Sequence, residues 1–285
     1  MLLKNTGGLL PLRRGVKLAL IGPDAVAPYT GGSGSGAVKT NAVVSAASAF
    51  AAMGIDATYE EGKTAEAAAA AAAAADVAIV FGHAESGEGH DRANLILAGN
   101  IDAIIPAVAK AQKSTVVSLA VPGSIRTDWR DSVPAILACI LPGEQAGPAL
   151  ADVLFGDTPP QAKLPVTFPI GENDQNMSVE QCAGAHFWIE WLGDLWARGG
   201  GRFGRYPGVP AGGFARQSNY TEGFIVGYRW YDKHGVAPAF PFGHGLTYGD
   251  FKYTDLVVSG RTISFTVTRT AGAGCDTAQV YSRHS

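Results

Sequence analysis

Short apolar runs alternate with helix-patterned segments along the first half of the chain. Val16–Ile21 reads as a buried strand ending at Gly22-Pro23. Asn41–Met53 predicts a helix and Ile55–Tyr59 a short strand. Thr64 is placed to cap the next helix, with Glu66 in its first turn and an alanine tract behind it, the residue of highest helix propensity. Val77–Phe81 is a third strand. Ala98–Lys113 carries apolar residues at helical spacing, with Pro106 inside it. Thr115–Val121 and Ala135–Leu141 read as strands, and Glu144–Phe155 as a helix. Strands of this kind, alternating with helices, predict an α/β fold: a mostly parallel sheet in a three-layer sandwich, covered on both faces.

The second half loses this rhythm. Gly171–Ala215 shows no sustained period of 2 or 3.6. After Phe251 the pattern alternates, with strands at Lys252–Val258 and Thr262–Thr268 joined through Ser259-Gly260, a hairpin signature. The organisation expected is therefore an α/β sandwich domain over residues 1–175, an irregular loop or insertion over 176–219, the end of the α/β domain and a linker over 220–250, and an incomplete β-sandwich start over 251–285.

Composition changes this picture little. Of 285 residues, 47% are hydrophobic and 16% charged, enough to bury a sizeable core, and 37 glycines point to many tight turns. A net charge of −3 gives no reason to expect a nucleic acid or membrane partner. The alanine tract Ala67–Ala75 is too short to span a bilayer and is bracketed by Glu66 and Asp76, and the N-terminus has no signal-like apolar stretch, so the chain reads as soluble. Cys139, Cys182 and Cys275 form no CxxC and imply neither a disulfide framework nor a metal site. Cys139 lies in an apolar run and reads as a buried thiol.

Several segments, in order, resemble family 3 glycoside hydrolases of the β-glucosidase type. They are Leu2-Leu-Lys-Asn-Thr-Gly-Gly-Leu-Leu-Pro-Leu12, Glu85-Ser-Gly-Glu-Gly-His-Asp-Arg92, Trp129–Leu137, Pro142–Gly147, Ala149–Gly156, Lys163–Pro169, Tyr220–Asp232 and Phe240–Tyr248. Residues about 176–205 and the tail from Arg269 depart from the family's text. The resemblance implies a plan of a (β/α)8 barrel, an α/β sandwich and often a fibronectin type III-like domain. This chain resembles the second and the start of the third. The barrel, which in the family supplies the Asp nucleophile, is not in it. The implied substrate is a β-linked glucoside or oligosaccharide, with no cofactor and no metal. Localisation stays open: a soluble protein, periplasmic or secreted in its full-length form, is compatible with the resemblance.

Retaining glycoside hydrolysis uses two carboxyl groups about 5–5.5 Å apart, one a nucleophile and the other an acid and then a base. A Glu on a partly desolvated loop suits the second role, because burial raises its pKa. Glu88 lies between Gly87 and Gly89 just after the strand Val77–Phe81. The resemblance maps the family's acid/base onto Glu88, with Glu85 as the alternative. Asp91 and Arg92 are expected to hold this loop in shape or to line the sugar site, and His83 and His90 read as plain loop histidines.

Two further motifs are misleading. Gly31-Gly-Ser-Gly-Ser-Gly36 formally matches a dinucleotide fingerprint, but about ten residues with two prolines separate it from its strand, and the fingerprint should open a helix directly. Thr127-Asp-Trp129 resembles the family's nucleophile tripeptide, yet it sits between segments of the second domain, so Asp128 reads as structural. His244 reads as a turn residue. The rival functions are a non-catalytic carbohydrate-binding or scaffold remnant and a nucleotide-dependent α/β enzyme.

Overall fold

The computed structural model describes residues 1–88, 92–175 and 221–282. A six-stranded sheet forms its centre, built from β1 (Leu2–Asn5), β2 (Leu18–Ile21), β3 (Ala57–Glu60), β4 (Val77–His83), β5 (Thr115–Ala120) and β6 (Ala135–Cys139). The strand order is β1-β6-β5-β4-β2-β3. All neighbours run parallel except β1, which pairs antiparallel with β6, Leu2 opposite Leu137 and Asn5 opposite Ala135.

Side chains alternate between the two faces of this sheet. Ala19, Ile21, Ala78, Val80, Val117 and Ile136 pack with α2 (Ala65–Ala73) and α3 (Ile101–Ala111). Leu18, Leu20, Val77, Ile79, Val116 and Leu137 pack with α1 (Ala46–Ala52) and α4 (Ala146–Leu154). Every residue of β2, and all of β4 except His83, is buried. This is the expected consequence of helices on both faces: the strands carry unbroken apolar runs. Ala68 and Ala72, one turn apart on α2, are fully buried, so an alanine helix lies close on the sheet.

Chain caps refine the sequence boundaries. Thr64 caps α2 as expected, its Oγ1 accepting from the Ala67 N–H at 3.2 Å. The helix expected from Asn41 begins only at Ala46, because Ser45 is its cap and accepts the Ser48 N–H at 3.2 Å. The residues before it are tied elsewhere: the N–H groups of Asn41 and Val44 go to the side chain and carbonyl of Glu144. Pro106 lies within α3 without ending it. Cys139 corrects the expectation of a buried thiol. It is the last residue of β6 and is exposed where the strand runs out of the sheet.

Two elements carried no usable pattern. Strand β1 is four residues long, and α5 (Tyr228–His234) is seven residues of mostly aromatic and charged side chains. Beyond them, β7 (Asp250–Ser259) and β8 (Thr262–Ala271) form the expected antiparallel hairpin as a separate two-stranded sheet. The segment expected to be irregular, 176–219, lies outside the described residues. No helix among the described residues is long and apolar enough to cross a membrane.

Candidate active-site loop

The sheet reverses direction of growth at one place. From β2 the chain passes to β3 on one side and then to β4 on the other. The loops leaving the C-terminal ends of β2 and β4 therefore face each other across a switch point, where open α/β sheets collect ligands. The first loop carries Gly31–Gly36, and the second carries Glu85 and Glu88.

The two loops pair through their backbones. Ser33 and Gly87 form an isolated parallel bridge. The Glu88 N–H donates to the Ser33 carbonyl at 3.3 Å, and the Ser33 N–H to the Ser86 carbonyl at 3.4 Å. Glycines make this approach possible. A Cβ on Gly87 would stand 1.7 Å from Ser33 Oγ. Gly34, at φ +81°, has the left-handed conformation that side chains resist, and its Cβ would lie 2.3 Å from that of Glu88. The glycine-rich segment is thus a seat for the Glu88 loop. It opens no α-helix, only a single 3-10 turn at Gly34–Gly36, which removes the geometry a dinucleotide pyrophosphate would need.

Glu88 is exposed, and its Oε2 accepts the Ser35 N–H at 2.6 Å. Hydrogen bonding from Ser35, side chain as well as backbone, holds the Glu88 carboxyl below the ordinary carboxylate range. This differs from the desolvated, raised carboxyl expected of a general acid. Among the described residues nothing covers Glu88 enough to outweigh the Ser35 donors.

Glu85 sits at the root of the same loop. Its Oε1 lies 3.8 Å from His83 Nε2. His83 is more than a plain loop histidine: its Nδ1 is 2.7 Å from Oδ2 of Asp24, and its ring stacks on Tyr29 with centroids 4.9 Å apart. The hydrogen bond that His83 donates to Asp24 raises the His83 pKa above the usual histidine value, against the opposing pull of burial. Sequence reading missed Asp24 and Tyr29. Their only signal was position, just past the end of the strand beside β4.

The returning leg of the loop is fastened to the segment after β5. Arg92 donates to the Ser124 carbonyl at 2.9 Å, and the Arg126 N–H to the Leu95 carbonyl at 2.7 Å. The Leu95 N–H donates to Glu172 Oε1 at 2.7 Å. Asp102 accepts both the Leu97 N–H at 2.7 Å and the Trp129 indole N–H at 2.6 Å. Of the paired expectation for Asp91 and Arg92, the contact of Arg92 is a backbone clamp. Asp91 and His90 lie outside the described residues.

The misleading motifs resolve locally. Asp128 is ion-paired with Arg126 on the surface. His244 Nε2 donates to the Leu3 carbonyl at 2.7 Å, fixing the turn that brings Leu246 against Leu2. Among the described residues no three His, Cys, Asp or Glu side chains are grouped to hold a metal. A mainly apolar cavity of about 220 Å³ opens beyond the ends of β4, β5 and β6, lined by Asp24, Tyr29, Phe81, Ser118, Cys139 and Pro142 among others. It adjoins the root of the loop, and Glu88 is not part of its wall.

Known proteins share this fold. The chain is 33% identical over 286 residues to the thermostable β-glucosidase B of Acetivibrio thermocellus, covering 93% of this chain and 33% of that protein. It is 30% identical to an exo-α-(1->6)-L-arabinopyranosidase of Bifidobacterium longum, covering 99% of this chain and 37% of that one. Among solved structures, the β-glucosidase of Bifidobacterium adolescentis superposes with a TM-score of 0.75 at 30% identity, over 95% of this chain and 38% of its own. β-Glucosidase 3B of Thermotoga neapolitana does so with a TM-score of 0.75 at 27% identity, over 95% and 40%. The chain thus spans 33% and 37% of the length of these two sequence relatives. The pattern of the glycosyl hydrolase family 3 C-terminal domain matches residues 1–248, and the chain belongs to that family.

Proposed function

We propose that this chain supplies the general acid/base of a retaining β-glycosidase, and that Glu88 is that residue. A (β/α)8 barrel provides the nucleophile, and a β-D-glucoside or related β-glycoside is the substrate. The observation that carries this reading is the placement of Glu88: an exposed carboxylate on the loop leaving β4, seated by glycines at the switch point of the sheet. Glu85 competes less well, because it stands at the loop's root beside His83. Arg92 holds the returning leg, and Asp91 completes the loop or touches sugar. The hairpin β7–β8 is the start of a fibronectin type III-like domain over 251–285, after the end of the α/β domain and a linker over 220–250.

The state of Glu88 fits two-step chemistry. An ionised Glu88 is the form needed to activate water in the second step. The first step needs a proton on it. Barrel and sugar over the loop would desolvate the carboxylate and raise its pKa, supplying what Ser35 alone opposes. The 285-residue chain by itself should therefore turn over no aryl β-glucoside.

Joining the chain to the barrel of a relative tests the assignment. Glu88→Ala should lose most activity on glucosides with poor leaving groups and much less on activated aryl glucosides, which depart with little protonation. Glu85→Ala should show no such split. If the split follows Glu85→Ala alone, the role belongs to Glu85. If neither variant shows it, the acid lies outside this loop.

A further inference from the structure

Three side chains at the root of the loop form a connected set. His83 ends β4, Asp24 comes from the turn just after β2, and Tyr29 follows on the same loop. Asp24 is only 6% exposed. A carboxylate accepts and does not donate, so His83 Nδ1 carries the proton in the 2.7 Å contact with Asp24. That leaves Nε2 to face Glu85 at 3.8 Å. Tyr29 covers the ring face, with the two planes within 12° of parallel. Its hydroxyl accepts the Ser86 N–H at 3.0 Å and donates to the Ser86 carbonyl at 3.1 Å, gripping both backbone groups of the residue after Glu85.

We propose that His83 is the positioning residue of the Glu85–Glu88 loop, holding it through Glu85 and Tyr29 when its ring is protonated and loosening it when the ring is neutral. The physical reason is a change of sign at Nε2. With Nδ1 committed to Asp24, a neutral ring turns a lone pair toward the Glu85 carboxylate, and the two repel. A protonated ring turns an N–H toward it, and they attract. The same proton puts a cation against the Tyr29 ring, which strengthens their stacking. Among the described residues, Asp24, Glu85 and Tyr29 are the titratable groups that face this ring.

The direction of the pH effect follows. Asp24 raises the His83 pKa. The hold is complete below the unfolded histidine value of about 6.5 and is lost as pH rises through the higher folded value. The catalytic consequence of this positioning rests on Glu88 being the acid/base. The positioning itself does not.

The test uses the 285-residue chain as it stands. The His83 ring and the backbone amides of Ser35, Ser86 and Glu88 are followed by NMR across neutral and alkaline pH. His83 should titrate above an ordinary histidine, and the Ser86 and Glu88 amides should move with the same midpoint. Asp24→Asn should lower the ring and amide midpoints together, by about one unit. Tyr29→Phe keeps the stacked ring but loses the grip on Ser86, so the Ser86 response should shrink while His83 still titrates. His83→Gln should abolish the alkaline response of the loop; if that variant does not fold, the other two still decide. Loop amides whose midpoint stays put while that of His83 moves would overturn the proposal, as would an unshifted His83 in Asp24→Asn. Loss of the Glu88 assignment in the barrel-joined enzyme would leave this coupling intact, so the two ideas fail separately.

Discussion

The six-stranded sheet and the β7–β8 ribbon obey the same strand chemistry and end in opposite environments. In the six-stranded sheet, helices cover both faces, and Leu18, Ile79 and Val80 are fully buried. In the β7–β8 ribbon no residue is buried, and Leu256, Val257 and Val258 are 70%, 56% and 65% exposed. The ribbon is fastened through polar bonds: Lys163 pairs with Asp276 at 2.6 Å, and the Tyr253 hydroxyl donates to Asp276 at 2.6 Å. Alternation alone makes a strand, whereas burial depends on what lies on its faces. The loop bearing Glu88 grows from the buried sheet, and its pairing with the Ser33–Ser35 segment seats an exposed carboxylate.

Substitutions can break this comparison. The largest effect is expected in the buried sheet, where Ile79→Ala should cost about 2–5 kcal/mol through lost burial and a cavity. Leu256→Ala in the ribbon should stay within about 0.5 kcal/mol. Urea midpoints of the two variants measure the difference, and equal losses would mean that the ribbon is part of the stabilising core.

Gly34→Ala sharpens the contrast at the loop itself. The left-handed backbone and the clash with Glu88 should cost roughly 1–2 kcal/mol and push Glu88 off its seat. The Glu88 carboxyl should then titrate closer to an ordinary glutamate, seen by carboxyl-carbon NMR. Gly36 has open space around it, and Gly36→Ala should leave that titration alone. In the parent chain the Glu88 contribution has the sign of a depressed carboxylate. It is present above the unfolded value of about 4.3 and disappears as pH falls through the lower folded one. A Glu88→Gln variant should therefore differ from the parent at neutral pH and converge with it in acid.

The smallest effect belongs to Tyr253→Phe. Its hydrogen bond to Asp276 pushes the phenol up to about 12. Alkaline absorbance titration of the variant should lose one late-ionising tyrosine, with stability changed by less than about 0.5 kcal/mol.

The parallel sheet was legible because its strands are unbroken apolar runs and its helices carry clear periods and caps, Thr64 among them. Strand β1 was not, since four residues hold too little pattern and its partner lies more than a hundred positions away. The Glu88 loop could be found from its glycines and from family resemblance. Its environment could not, because the donor at Ser35 and the partners of His83, Asp24 and Tyr29, come from another loop. Only the strand order brings them together. Cys139 shows the same limit: an apolar neighbourhood in sequence does not say where a strand leaves its sheet.

The most direct measurement is the configuration of the product formed when azide rescues Glu88→Ala in the barrel-joined enzyme, with an activated aryl β-glucoside as substrate. If Glu88 is the acid/base, the nucleophile is intact, the glycosyl-enzyme forms, and azide attacks it in a second displacement. The expected product is the β-glycosyl azide. An α-glycosyl azide would mean a single displacement with the nucleophile removed, and would contradict it.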